Sequence, residues 1–180
     1  FEIINFKILS FGGKATGICG ADGAMIKVHQ KSEDLGLVGT IDSIDTGLIK
    51  ALVDNGYIPV VASVGVDDNG TIYNINADTV AAYMAGALQA ECMVAMTNID
   101  GVMLDKEDPT SLVPKLTEVD TTKLVADGVI AGGMIPKVEC CIEAIQKGVK
   151  KVFIINGEIP HAILIELLTN EGLGTMFVKE

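Results

Sequence analysis

The chain has 180 residues, 49% of them apolar and 21% charged. That supports a real hydrophobic core and excludes a disordered chain. Against 13 basic side chains stand 24 acidic ones, a net charge of −11, which argues against nucleic acid as the main partner but permits a small anion held by amides and a few lysines.

With no tryptophan and 4% aromatic residues, the core has to be aliphatic. Cys19, Cys92, Cys140 and Cys141 show no CxxC spacing and read as small buried apolar residues in a reducing, cytoplasmic setting (plastid in a plant or alga). With His29 and His161 the only histidines, no zinc constellation forms. No apolar run reaches transmembrane length and no signal peptide is visible, so no membrane partner is expected.

In chain order, "FEIINFKILSFGG" reads as the tail of a helix entered from upstream. The start at Phe1 without methionine suggests a fragment. "ATGIC" and "AMIKV" read as strands joined by a "GADG" hairpin turn, and "VGTIDSI" as a further strand. Asp45 is the expected N-cap of the next helix, with Ile44 and Ile49 as a hydrophobic staple and a stop at Gly56 after Asn55. "YIPVVAS" suits a parallel strand buried on both faces.

"YNINADTVAAY" sets Asn74, Asn76 and Asp78 two residues apart before a helix expected to end near Ala90. In an extended stretch that spacing puts all three on one face, where asparagines can grip an amide or a carboxylate. A turn and an N-cap explain one or two of them equally well. "CMVAMT" is the next buried strand, and "TNIDGV" closes it at the end where α/β sheets bind ligands. Asn, Asp and Gly there also fit a plain turn.

"IAGGMIPKV" opens a helix from about Ile135 to Lys147, on which Ile135, Val138, Ile142 and Ile145 recur at helical spacing. Lys137 falls in its first turn, where a cation is unfavourable by roughly 0.3–1 kcal/mol. A bound anion reverses that sign, whereas a solvated lysine needs no ligand. "KVFIIN" is a third buried strand. Strands alternating with helices imply βαβ units around a mainly parallel sheet, an α/β class. No GxxxxGK[ST] occurs, and no GxGxxG follows a strand, so P-loop and dinucleotide readings lack support.

"GYIPVVASVGV", "YNINADTVAAYMAGAL", "TNIDGVMLDKEDP", "GGMIPKVECCIEAIQKGV" and "PHAILIELLTNEGLGTM" together resemble the C-terminal two-thirds of the acetylglutamate kinases, within the amino acid kinase family. The resemblance runs back through "FGGKATGICGADG" and "DLGLVG". It implies a three-layer αβα sandwich lacking its N-terminal part, with residues 1–55 left from the amino-acid-binding part and 56–180 forming the nucleotide-binding part. It also implies transfer of phosphate from ATP, with Mg²⁺, to the side-chain carboxylate of N-acetyl-L-glutamate in arginine biosynthesis, by a homo-oligomer.

By the same resemblance Asn74 contacts acetylglutamate, with Asn76 beside it. Asp78 organises catalytic lysines and Lys137 stabilises the transferring phosphoryl group. Asn98, Ile99, Asp100, Gly101, Val102 and Met103, with Val129, Ile130 and Ala131, match nucleotide-binding segments. The chemistry is consistent with these residue types: phosphoryl transfer asks for positioning and charge neutralisation, and a carboxylate acceptor needs no strong base.

Family members carry a Gly-Gly loop, a second lysine and an arginine segment upstream of the residue matching Phe1, so a molecule starting there is expected to have little or no kinase activity. Many relatives have aspartate at Asn98. The end of the chain resembles arginine-inhibited members, which makes His161 and Glu171 candidate L-arginine contacts. A helix followed by an edge strand is the plainer reading. A non-catalytic nucleotide-binding or regulatory module, or a kinase for a related amino acid, is the alternative.

Overall fold

The computed structural model describes residues 2–105 and 107–179. The chain forms two compact units, Phe1–Ala87 and Leu88–Glu180.

The first unit contains α1 (Glu2–Ser10), β1 (Ala15–Cys19), β2 (Ile26–Gln30), β3 (Gly39–Ile44), α2 (Gly47–Asp54), β4 (Ile58–Ala62), β5 (Val64–Val66), β6 (Ile72–Asn74) and α3 (Ala77–Ala87). β1 runs parallel to β4, with Ala15 opposite Ile58. The other strands are ordered β3-β2-β5-β6. β2 is antiparallel to β3 and parallel to β5, and β5 is antiparallel to β6.

The expected "GADG" hairpin is therefore corrected: β1 and β2 part to different partners. Between them lies a single 3-10 turn, Asp22–Ala24, with Gly23 at φ 59°. The Asp22 carboxylate accepts the Cys19 amide at 2.7 Å, and the Ile26 amide donates to the Gly20 carbonyl at 2.7 Å. A Cβ on Gly20 would fall 1.9 Å from the Val64 carbonyl oxygen, so β5 passes directly beside the turn.

The cap of α2 is Thr46 rather than Asp45. Asp45 lies one residue further out and accepts the Gly47 amide at 2.7 Å. This shift puts Ile44 and Ile49 out of staple register, although Ile49 is buried. The helix does stop as expected, at Asn55 and a Gly56 with φ 76°. β4 is half-covered rather than buried on both faces, with Ile58 exposed, because β1 is its one paired neighbour among the described residues. α3 ends at Ala87, three residues before the expected stop.

The second unit contains β7 (Cys92–Thr97), β8 (Lys115–Leu116), α4 (Glu118–Ala126), α5 (Met134–Gln146), β9 (Lys151–Asn156), α6 (Ala162–Leu168) and β10 (Thr175–Val178). Its sheet is ordered β7-β9-β10-β8. β7 and β9 are parallel, as are β10 and β8, while β9 and β10 are antiparallel. β10 is thus interior, and the expected edge strand is corrected: among the described residues the edges are β7 and β8.

Val152 to Ile155 are all buried. Phe153 and Ile155 cluster with Ala162 of α6. Val152 and Ile154 point to the opposite face, where α5 packs on β9 and β10. The sheet is covered on both sides, which explains why Val152 to Ile155 form a continuous apolar run. The buried stripe of α5 is Val138, Cys141, Ala144 and Ile145; Ile135 and Ile142 are half-buried. β7 is less covered than expected, with Met93 its one buried residue. Of the cysteines, all free, Cys141 is buried and the other three are half-exposed.

Across both units four of seven strand pairs are parallel, giving an α/β fold with mixed, mainly parallel sheets. Among the described residues no helix is long and apolar enough to cross a membrane.

Candidate functional site

At the C-terminal end of β7 the second unit holds a cavity of about 360 Å³. Asn98, Ile99, Asp100, Gly101, Val102 and Met103 line one side and Val129, Ile130 and Met134 the other. Two sequence segments that were singled out separately thus meet in one place. Ala131, the third residue of the second segment, is not part of the lining and sits just beyond it, before α5.

The first wall is a folded-back loop. The Thr97 hydroxyl accepts the Ile99 amide at 3.1 Å and reaches the Ile99 carbonyl at 3.1 Å, a local turn. The Asp100 carboxylate accepts the side-chain amide of Asn156 at 2.7 Å. Gly101 adopts φ 152°, and a Cβ there would lie 2.6 Å from the Thr175 Oγ1. The second wall is the end of α4, where the Val129 and Ile130 amides both donate to the Leu124 carbonyl, at 3.0 and 3.1 Å. Gly128 at φ 74° lets the chain turn back there.

The lining is mostly aliphatic with Asn98 and Asp100 as polar groups, a composition suited to a flat ring whose edge needs few hydrogen bonds. Beyond it begins α5, capped by Gly133 with no side-chain hydrogen bond. α4, by contrast, has a full capping box between Thr117 and Asp120. Pro136 occupies the first turn of α5, and the half-buried Lys137 follows it.

In the first unit, Asn74 is the last residue of β6 and exposed; its amide donates to the Leu37 carbonyl at 2.8 Å. Asn76 is exposed, and its side chain accepts the Thr79 amide at 3.1 Å while its carbonyl accepts from Val80 at 3.0 Å. Asn76, not Asp78, therefore caps α3. Tyr73 and Ile75 are buried between the two asparagines. The expected shared face holds for Asn74 and Asn76 and is corrected for Asp78, because the extended backbone ends at Ala77 and Asp78 lies half-buried in the first helical turn.

His161 caps α6 in the left-handed region at φ 62° and lines a cavity with Met96 and Gly157–Leu164. Glu171 is exposed, its amide donating to the Thr169 hydroxyl at 3.2 Å. Its neighbours Asn170 and Gly172 line a different cavity, of about 610 Å³, with Glu91, Cys92, Lys150, Lys151 and Glu166. The structure does not bring His161 and Glu171 into one cavity. Burial pushes the Cys92 thiol up, with Lys151 opposing and Glu166 reinforcing the shift. A Lys150–Glu91 ion pair at 2.9 Å crosses the rim.

Sequence reasoning missed Asn156, Thr175 and Met134. Asn156 and Thr175 end and begin strands that read only as apolar runs, and their polar partners lie far along the chain.

The sequence model described as "Amino acid kinase family" matches residues 2–156. An acetylglutamate kinase of Brachyspira hyodysenteriae is 50% identical over 94% of this chain and 59% of its own length. The crystal structure of smu.665 from Streptococcus mutans superposes with a TM-score of 0.77 at 28% identity, covering 96% of this chain and 64% of that one. An N-acetylglutamate synthase of Neisseria gonorrhoeae, solved with coenzyme A and N-acetyl-glutamate, gives a TM-score of 0.79 at 26% identity, covering 93% and 38%. The chain spans about three-fifths of the length of the curated relatives it matches.

Proposed function

The chain belongs to the amino acid kinase family, and from that premise we propose that the protein phosphorylates the side-chain carboxylate of N-acetyl-L-glutamate with ATP, a step of arginine biosynthesis. The observation that carries this reading is the aliphatic cavity formed by Asn98–Met103 with Val129 and Ile130, at a strand end and beside the N-terminus of α5, whose N-cap residue Gly133 has no side chain to offer. The cavity receives the adenine, with Ala131 adjoining it. The start of α5 and Lys137 serve the phosphates, where charge develops in phosphoryl transfer. Identity of 46–50% to relatives named acetylglutamate kinase supports the acceptor.

Asn74 contacts acetylglutamate, with Asn76 holding the adjoining helix start. Asp78 orders the catalytic ammonium groups. Mg²⁺ arrives on the nucleotide phosphates, the usual mode for this ion. A homo-oligomer in the cytoplasm and inhibition by L-arginine near α6 and β10 complete the reading.

A neighbour of nearly the same fold carries a synthase's name, so the fold alone does not select the reaction. This favours, as a second reading, a module of this fold without kinase activity. A coupled ADP-release assay on the full-length protein decides: acetylglutamate-dependent turnover is expected. Turnover only with aspartate or glutamate would overturn the acceptor. No turnover with retained nucleotide binding would support the second reading.

A further inference from the structure

We propose that Thr175 is a positioning residue for the wall of the cavity formed by Asn98–Met103, and hence for nucleotide affinity; this rests on the assignment of that cavity to the nucleotide. Thr175 opens β10 and is 0% exposed. Its hydroxyl accepts the Val102 amide at 2.8 Å and donates to the Val113 carbonyl at 2.8 Å. The Val113 amide in turn donates to the Val102 carbonyl at 2.8 Å. One oxygen therefore joins the loop after β7, the segment leading to β8, and the start of β10.

The other buried polar residue among the described ones is Thr121, 5% exposed. Its hydroxyl donates to the Thr117 carbonyl, four residues back at the start of its own helix. The partners of Thr175 lie 73 and 62 residues away. A hydroxyl bonded within its own helix accommodates itself, whereas one bonded to two remote segments sets where they sit. Gly101 leaves no slack, since even a Cβ would meet the Thr175 Oγ1 at 2.6 Å and its amide nitrogen at 3.1 Å.

The anchor is itself fixed. The Glu166 carboxylate accepts the amides of Leu173 and Gly174, the latter at 3.1 Å. A Cβ on Gly174 would fall 2.0 Å from the Ile154 carbonyl oxygen, so the residue before Thr175 is pressed onto β9. Valine has the shape of threonine without its hydroxyl. It would leave the Val102 N–H buried without its acceptor, and the loop would have to shift to recover one.

The test uses the full-length protein with Thr175→Val, Thr175→Ser, Thr175→Cys and, as a control for stability alone, Ile49→Val, at a buried position of α2. Binding of a fluorescent ATP analogue, KM for ATP, KM for the acceptor and the melting temperature are measured. Thr175→Val should weaken the analogue and raise KM for ATP about tenfold, the size expected for an orphaned buried donor. The acceptor KM should stay within about twofold of wild type, serine should restore binding, and Ile49→Val should lower the melting temperature with nucleotide affinity intact.

A folded Thr175→Val that melts lower but binds the analogue like wild type overturns the proposal. If the valine variant does not fold, cysteine, which lacks the methyl group and offers only weak hydrogen bonds, decides on the same criterion with serine as its reference. A wild-type protein that binds no analogue overturns the nucleotide assignment itself.

Discussion

The side-chain amide of Asn156 donates to the Asp100 carboxylate across 2.7 Å, tying the last residue of β9 to the loop that follows β7. The same asparagine accepts the Glu158 amide at 2.9 Å, so its orientation is set from both ends. Asn156→Asp keeps the shape and sets one carboxylate against another. Nucleotide affinity should fall about tenfold while the protein stays folded, because like charges at contact repel. Titration of a fluorescent ATP analogue checks this, and unchanged affinity would show that the Asp100 position does not matter to the ligand.

Gly101→Ala combines an unfavourable backbone with a collision. The residue sits at φ 152°, and the new methyl would meet the Thr175 Oγ1 at 2.6 Å and the Leu112 Cδ1 at 2.8 Å. A loss of about 1–3 kcal/mol in stability is expected, together with weaker nucleotide binding. Urea unfolding measures the first; a variant as stable as wild type would mean that the loop relaxes without cost.

Lys137→Ala bears on the proposed role of the lysine in the first turn of α5. A contact that strengthens as charge spreads onto the transferring group should lower kcat, by about 10²–10³, and leave KM for ATP little changed. Steady-state kinetics separate the two. An intact kcat with a raised KM would assign Lys137 to ground-state binding.

The cap of α4 should be sensitive to acid. The Asp120 carboxyl is held below the ordinary carboxylate range, first by the Thr117 hydroxyl donating to it at 2.7 Å and then by the Thr117 amide at 3.0 Å. A carboxyl with a depressed folded-state pKa contributes stability above the unfolded value of about 3.9, and loses it as pH falls through the folded value. Thr117→Ala should lower the melting temperature by about 4 °C at neutral pH. That difference should shrink below about pH 4, and a difference of equal size at acid pH would contradict the account.

Much of the second unit was legible in its sequence. The four central residues of "KVFIIN" are all apolar because helices cover both faces of β9, and "GGMIPK" opens α5 one residue before the expected start. The segments Asn98–Met103 and Val129–Ile130 drew attention by resemblance and share one cavity. Strand partners were harder. The residues of "GADG" are turn formers whether the flanking strands pair with each other or part, and the partner of Ala15 is Ile58, far along the chain. Asp78 leaves the face of Asn74 and Asn76 because period-two spacing continues in the sequence after the backbone has become helical at Ala77. Thr175 carries no local signal, since its importance comes from amides and carbonyls that only the fold brings to it.

The strand order of the second unit has a consequence for synthesis. Among the described residues β8 pairs with β10 alone, with Met176 opposite Lys115 and Phe177 opposite Leu116. A nascent chain that has left the ribosome only as far as α6 can pair β7 with β9 but has nothing on which to dock β8. Until residues 175–178 emerge, the edge of β9 that later receives β10 stays open to other strands. The closing step of this unit therefore waits on the synthesis of residues 175–178.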